Sequence, residues 1–410
     1  MEAKEVESSG QLVGSVPIGG AKNSALLLLA ASVVMKKPFT LFNVPDILDV
    51  AKMCEILERL NITTHWDEGA LRIDPTSVEY CPLDCALSQE VRTSVLFLGG
   101  LLGRFKEAVI ATPGGCDLGP RPIDLHLMAM ESFGASIQSQ PQRVEAKLGK
   151  FESTSIRFKK ATVTGTANAI LCAVSLPIET VMTNCALEPE IDDLISFLNA
   201  SGADIKREGS QLRIQGGRSM TGADHHVIPD RIEAGTFLIA AAAMGGDVIV
   251  GPVNPGHMTA VIEALMQTGA DIEVTERAIR LKMDKRPQAV SIVAKTYPGF
   301  PTDLQPQWGF LASVSEGVSI IRDTVFAKRF DHMPQLAKLG VVYRSLEQGI
   351  EVQGVDKLMA SEMTAGNLRS AAALVLGAMY AQGKSKILNI KELSRGYPGF
   401  FLKINNILND

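Results

Sequence analysis

Apolar residues recur along this chain in long, nearly uninterrupted clusters, each opened by small or polar residues and closed near a glycine. The clusters are GGAKNSALLLLAASVV from Gly19, EVRTSVLFLGGLLG from Glu90, TGTANAILCAVSL from Thr164, PDRIEAGTFLIAAAAMGGDVIV from Pro229, PTDLQPQWGFLASVSEGVSII from Pro301 and AGNLRSAAALVLGAMYAQGKSKI from Ala365. Their starts lie about 60 to 75 residues apart, the interval of a repeated supersecondary unit. Each cluster predicts a helix that is apolar nearly all round, and such a helix is stable only when buried.

A second pattern sits between the clusters: an amphipathic helix, a glycine and a short strand. It reads as RPIDLHLMAMESFGASIQ, PEIDDLISFLNASGADIKRE and PGHMTAVIEALMQTGADIEV, with altered endings in PDILDVAKMCEILERLNITTHW and MPQLAKLGVVYRSLE. Ile191, Leu194, Ile195 and Leu198 keep helical spacing, while Asp204-Ile205-Lys206-Arg207 alternates as a strand does. The predicted unit is therefore α-β-α-β, with the first helix inside and the second outside.

Six such units exceed one core of ordinary size, so two domains of three units each are expected. The polar stretch Gly222 to Pro229 marks the boundary, giving residues 22–228 as one domain and 1–21 with 229–410 as the other. The active site is expected in the cleft between them. The last unit stops at Asp410 before a closing strand, and the stretch Gly10 to Ile18 is expected to complete that domain. If the buried helices of a domain run parallel, their N-termini emerge on one face with unpaired N–H groups and positive dipole ends. Lys22, Arg92, Arg231 and Arg369 stand at or near those ends.

With 46% hydrophobic and 21% charged residues among 410, the composition is that of an ordinary globular protein. A net charge of −5 gives no general attraction to nucleic acid, so anion binding must come from placed Lys and Arg. Glu2, Glu5 and Glu7 are the wrong start for a secretory signal, and the longest apolar run, Ala25 to Met35, is short of the ~20 residues a membrane span needs. A cytoplasmic protein is expected, with no membrane or nucleic-acid partner. Cys54, Cys81, Cys85, Cys116, Cys172 and Cys185 then read as reduced thiols, Cys172 and Cys185 in the core. No second pair completes a metal site with Cys81 and Cys85.

Seven motifs resemble those of the enolpyruvyl transferases, and most closely the UDP-N-acetylglucosamine 1-carboxyvinyltransferases of peptidoglycan synthesis. They are GAKNSAL from Gly20, PGGCDLGPRPIDLH from Pro113, EPEIDD from Glu188, PDRIEAGTF from Pro229, FPTDLQPQ from Phe300, FAKRFDHMPQL from Phe326 and SRGY from Ser394. The resemblance covers nearly the whole chain in family order. It implies an α/β fold, a two-domain inside-out α/β barrel of six repeats, and transfer of the carboxyvinyl group of phosphoenolpyruvate to the 3-hydroxyl of the nucleotide sugar, with release of phosphate. No cofactor is implied.

Cys116 lies among glycines and prolines that neither helix nor strand accommodates, so it belongs to a loop, and Arg121 close by favours the thiolate. The resemblance makes it the general acid at the phosphoenolpyruvate methylene and the target of the epoxide fosfomycin. Asp303, at the start of a buried helix, reads as an N-cap, since Thr302 or Asp303 can accept the unpaired N–H bonds there; the resemblance makes it the base that takes the acceptor proton, and both roles can coexist. Bidentate arginines suit the phosphate and carboxylate of phosphoenolpyruvate. By resemblance Lys22, Arg121 and Arg395 face the phosphate, Arg329 and Arg369 the carboxylate end, Arg92 the nucleotide diphosphate, and Asn23 the developing tetrahedral centre. Arg121, Pro122, Ile123, Asp124 and Leu125 match the uridine loop, Val163-Thr164-Gly165 a phosphate-contacting stretch, and Val325 a substrate-lining position. His126, next to that loop, reads as structural.

The chain departs from the family at Asn367, where Asp is usual, at Val163-Thr164, where Ser-Val is usual, and at Leu96, where an aromatic is usual. These positions leave open a paralogous transferase whose acceptor is another nucleotide, such as a nucleoside monophosphate. A non-catalytic nucleotide-binding regulator is a further reading, against which the joint presence of Lys22, Cys116, Asp303 and Arg395 speaks. Turnover of phosphoenolpyruvate is expected to need no divalent metal. Phosphate release should persist in EDTA, and a loss reversed by Mg²⁺ would refute the expectation.

Overall fold

The computed structural model describes residues 2–67, 69–84, 86–87, 92–112 and 123–408. The chain divides into two compact units, one formed by Gly20–Gly115 with Pro120–Ile228 and the other by Met1–Gly19 with Pro229–Asp410. Each has its own hydrophobic core. Among the described residues no helix is long and apolar enough to cross a membrane.

The first unit contains helices α1 (Lys22–Ala31), α2 (Leu48–Arg59), α3 (Phe97–Phe105), α4 (Asp124–Ser132), α5 (Val163–Ser175) and α6 (Pro189–Ala200). The second contains α7 (Arg231–Met244), α8 (Thr259–Gln267), α9 (Gln305–Val314), α10 (Met333–Leu336), α11 (Leu368–Tyr380) and the terminal α12 (Phe400–Asn405). The odd-numbered helices are the six apolar clusters, and nearly every residue in them is buried. The even-numbered helices from α2 to α8 keep a polar face in water, as their spacing predicts. Helices inside and strands outside give each unit its inside-out character; the strands form six separate sheets, and none closes into a barrel among the described residues.

The repeat is richer than α-β-α-β. In the third repeat β1 (Thr154–Arg157) precedes α5 and pairs parallel with β2 (Glu179–Thr183); after α6 come β3 (Ile205–Glu208) and β4 (Gln211–Gln215), a hairpin whose second strand pairs antiparallel with β2. The working unit is thus β-α-β-α-β-β, a right-length helical crossover followed by a hairpin. The leading strands escaped the sequence reading because they are only two to four residues long: His225–His226, Thr154–Arg157, Ile292–Ala294 and Glu362–Thr364. Runs that short cannot display a period.

An asparagine fixes the leading strand in three repeats. Asn43, Asn184 and Asn389 follow directly on their central strands and adopt positive φ, of 56°, 57° and 59°. Each amide donates to a carbonyl just beyond the leading strand, that of Val227, Phe158 and Ala365 respectively. Asn is among the few residues that tolerate this backbone region, and its side chain here closes the sheet at the same time.

The N-terminus corrects a second expectation. The stretch Leu12–Pro17 is a strand, but it pairs parallel with Gly246–Gly251 of the fourth repeat. The place missing from the last repeat is taken by Ala3–Glu7, antiparallel to Lys384–Leu388.

In the first unit α3 packs on α5 so closely that glycine is required. A methyl group built on Gly99 would lie 2.0 Å from the Asn168 carbonyl oxygen, and one on Gly103 would lie 2.8 Å from Ser175 Cβ. Gly100 faces Val33 at an ordinary 3.5 Å. Gly99→Ala should therefore cost about 1–3 kcal/mol or more through overpacking. Gly100→Ala should be neutral or stabilising by up to ~1 kcal/mol, because alanine is the better helix former. Thermal melts of the two variants check this, and equal effects would contradict the packing described.

Candidate active site

A buried helix can bring polar groups out only at its ends, and the sequence-predicted residues gather there. In the first unit Lys22 begins α1, is only 9% exposed, and places Nζ 2.7 Å from Asp49 Oδ2 in the first turn of α2. Asn23 follows it. Val163, Thr164 and Gly165 form the first turn of α5, where the Thr162 hydroxyl accepts from the Gly165 N–H. Ile123, Asp124 and Leu125 lead into α4.

His126 joins those two helix starts. Its Nε2 lies 3.1 Å from Thr164 Oγ1 and its Nδ1 2.9 Å from Asn168 Nδ2. Because Asn168 Oδ1 accepts the Gly99 N–H, its amide nitrogen is the group that faces the ring, so Nδ1 accepts and Nε2 donates toward Thr164. Asp193, from the EPEIDD motif, holds the returning chain: it accepts from Ser24 and pairs with His225 Nε2 at 2.7 Å.

In the second unit Asp303 is the centre. One carboxylate oxygen is 2.7 Å from Arg329 Nη1, the other 2.9 Å from Arg369 Nη2. Both arginines are 4% exposed. Burial opposes the Arg369 charge, yet Asp303, with Tyr397 and Asp230, carries its pKa above the ordinary guanidinium value. Arg329 also donates to Thr302 Oγ1 at 3.1 Å, and Thr302 donates to Asp323. The other Asp323 oxygen accepts the N–H groups of Val325 and Phe326, which ties Val325 to the cluster. Arg395 pairs with Glu392 at 3.1 Å.

The N-cap positions here are Pro301 and Leu304, so neither Thr302 nor Asp303 stands at the cap the sequence suggests. The carboxylate is used by the arginines and the hydroxyl by Arg329 and Asp323. Cys116, Arg121 and Pro122 lie outside the described residues, as does the side chain of Arg92, whose backbone opens the short helix Arg92–Leu96. Burial pushes the Cys54 thiol up to about 11 and those of Cys172 and Cys185 up to about 12, so these three are packing groups rather than nucleophiles near neutral pH.

The sequence does not single out Tyr397, a partner of Arg369, nor Thr236, Gln307 and Asp323, which bind Tyr397 and Thr302 around the arginines. Thr236, Gln307 and Tyr397 lie inside the motifs PDRIEAGTF, FPTDLQPQ and SRGY, which was the available signal; their partners are 28 to 161 residues away. In the sequence alone Asn367 is only a lost carboxylate. It caps α11 through the N–H groups of Arg369 and Ser370, and its amide donates to Asp331 Oδ2 at 2.8 Å, a bond an ionised aspartate cannot make.

The chain is similar to known proteins along its whole length. The family model for EPSP synthase (3-phosphoshikimate 1-carboxyvinyltransferase) matches residues 6–404. A UDP-N-acetylglucosamine 1-carboxyvinyltransferase of Desulforapulum autotrophicum is 39% identical, the alignment covering 97% of this chain and 96% of that protein. A protein of the same name from Idiomarina loihiensis is 37% identical over 99% and 98%. In fold the chain is similar to the enolpyruvyl transferase NikO from Streptomyces tendae, with a TM-score of 0.87 at 23% identity over 98% and 96% of the two chains. An EPSP synthase from Acinetobacter baumannii gives 0.75 at 18% over 99% and 98%.

Burial raises the Asp331 carboxyl above its ordinary range, against the opposing effects of Arg329, Ser370 and Asn367. Asn367→Asp should replace the amide donor by a second carboxylate and raise one of the pair further. A carboxyl whose folded pKa is raised leaves stability intact below its unfolded pKa and loses it as pH climbs through the raised value. The melting deficit of Asn367→Asp relative to the parent should thus be larger at about pH 8 than at about pH 5. A deficit independent of pH would count against the pair.

Proposed function

This chain belongs to the EPSP synthase family of enolpyruvyl transferases, and on that footing we propose that it transfers the carboxyvinyl group of phosphoenolpyruvate to the 3-hydroxyl of UDP-N-acetylglucosamine, releasing phosphate. The reaction would serve peptidoglycan precursor synthesis in the cytoplasm. The observation that carries the choice of acceptor is 36–39% identity, over nearly the full length, to proteins named for that activity.

The chemistry is addition and elimination. The acceptor oxygen attacks C2 while C3 gains a proton, which gives a tetrahedral ketal. Loss of a proton from C3 and departure of phosphate restore the vinyl group. Asp303 takes the hydroxyl proton and Cys116 delivers the proton to C3. Lys22, Arg121 and Arg395 hold the phosphate, Arg329 and Arg369 the carboxylate end, and Asn23 the ketal centre. Arg92 and residues 121–125, with Val163, Thr164 and Gly165, hold the nucleotide; Val325 lines the substrate.

The Asp303 geometry supports this assignment. Two guanidinium groups favour the ionised carboxylate, which is the form that accepts a proton. A substrate carboxylate arriving at Arg329 and Arg369 competes with Asp303 for the same donors. It therefore loosens the base for the acceptor hydroxyl once phosphoenolpyruvate is in place to be attacked, and stands in as counter-ion for the buried cations. General base action at the attacking oxygen is worth about 10²- to 10⁴-fold.

Phosphate release measured in parallel with UDP-N-acetylglucosamine, UMP and shikimate 3-phosphate tests the acceptor, and faster turnover with UMP would favour the other-nucleotide reading. Asp303→Asn should lower turnover by about 10²- to 10⁴-fold while acceptor binding survives. It also leaves two buried arginines without their shared carboxylate, a change that costs several kcal/mol, about 3–5 for a fully buried pair and less here because Asp303 is partly exposed. Phosphoenolpyruvate should accordingly raise the melting temperature of Asp303→Asn more than that of the parent. Near-normal turnover in this variant would remove Asp303 as the base, and fosfomycin labelling of Cys116→Ser at the parental rate would remove Cys116 as the reactive thiol.

A further inference from the structure

Tyr397 has no role in the reaction as described, yet polar groups from all three central helices of its unit converge on its hydroxyl. The residue is 3% exposed. Its oxygen lies 2.9 Å from Thr236 Oγ1 on α7, 2.9 Å from Gln307 Nε2 on α9 and 3.4 Å from Arg369 Nη1 on α11.

Either hydroxyl can donate between Thr236 and Tyr397, and the bond Thr236 makes to its own helix favours one direction. Thr236 gives its own proton to the Ile232 carbonyl at 2.8 Å, so its oxygen accepts from Tyr397 and from Gln307 Nε2, the latter at 3.0 Å. Gln307 Nε2 lies within donor distance of both Thr236 and Tyr397, and because those two oxygens are only 2.9 Å apart they share one of its N–H groups. The single phenol proton therefore goes to Thr236, and the phenol oxygen accepts from Gln307 and Arg369. Arg369 is held from two sides, Nη2 by Asp303 and Nη1 by Tyr397, with its Cζ 5.7 Å from the tyrosine ring centroid.

We infer that Tyr397 is a positioning residue that keeps the Arg369 guanidinium aimed at the substrate carboxylate when Asp303 turns to the acceptor hydroxyl. A guanidinium with one anchor can rotate about its last side-chain torsions, whereas one with two anchors cannot. As Asp303 gives up Arg369 to accept a proton, the phenol is the anchor that stays and the substrate carboxylate becomes the second. The Thr236 and Gln307 bonds fix the phenol in turn, so the orientation is transmitted from the cores of α7 and α9. The inference rests on the proposed contact between Arg369 and phosphoenolpyruvate.

Tyr397→Phe leaves the ring, which packs edge-on at 5.4 Å against Phe400, and removes only the hydroxyl. The expected result is a rise of about ten-fold in KM for phosphoenolpyruvate, with the acceptor KM unchanged and the melting temperature only slightly lowered. A purely structural tyrosine would lower the melting temperature and leave the two KM values in their parental ratio, which overturns the proposal. Arg369→Lys, measured alongside, separates the two levels of the argument. If it leaves KM for phosphoenolpyruvate unchanged, the role of Arg369 itself is wrong. If it raises that KM while Tyr397→Phe does not, only the positioning role falls. In the double variant the phenol should add nothing to the loss caused by Arg369→Lys, and additive losses would refute the coupling. Should Tyr397→Phe fail to fold, Thr236→Val removes the acceptor of the phenol proton; the same selective rise is expected, and its absence overturns the proposal.

Discussion

A helix buried on all sides can place polar groups only at its ends, and this constraint organises both units. The odd-numbered helices are apolar round their whole circumference, so water and charge meet them at their termini. Lys22, Val163 and Arg231 each stand in a first helical turn, and Arg369 stands one residue inside α11. Apart from hydrogen-bonded side chains such as Asn168 and Thr236, the interior of the same helices is left to packing, down to glycines that let α3 and α5 touch backbone to backbone.

The cluster at Asp303 shows how expensive charges are kept there. An arginine as buried as Arg329 or Arg369 must be paired, because an isolated ion loses several kcal/mol of hydration. One carboxylate shared between two guanidinium groups offsets that cost only in part. The arrangement is consequently suited to a second anion, and a substrate bearing a carboxylate and a phosphate has the complementary charge. Thr302, Asp323, Tyr397, Gln307 and Thr236 bind the periphery of the cluster, so the cations are directed as well as retained.

Asn367 illustrates how a departure from a family pattern acquires meaning in three dimensions. As a letter in the sequence it is a missing carboxylate. In the fold it is a complete capping box for α11 and a donor to a partly buried aspartate whose proton affinity burial has already raised. An aspartate there would cap as well but would oppose Asp331.

The sequence by itself determined the α/β class, the six-fold repetition and the buried or exposed character of each long helix, because apolar periodicity over nine or more residues is a direct record of burial. It also singled out Asp303, Arg329 and Arg369, through motifs whose resemblance spans the chain. The leading strands were invisible, since two to four residues carry no period and are held by a parallel neighbour and, in three repeats, by an asparagine amide. The exchange of strands at the N-terminus was equally hidden, for pairing Ala3–Glu7 with Lys384–Leu388 joins segments almost a chain length apart. Only the tertiary structure decided that Asp303 is a shared counter-ion rather than a helix cap, and that Tyr397 closes a network from three helices. Those outcomes depend on which side chains meet across 26 to 161 residues of sequence, and local propensity contains no term for such distances.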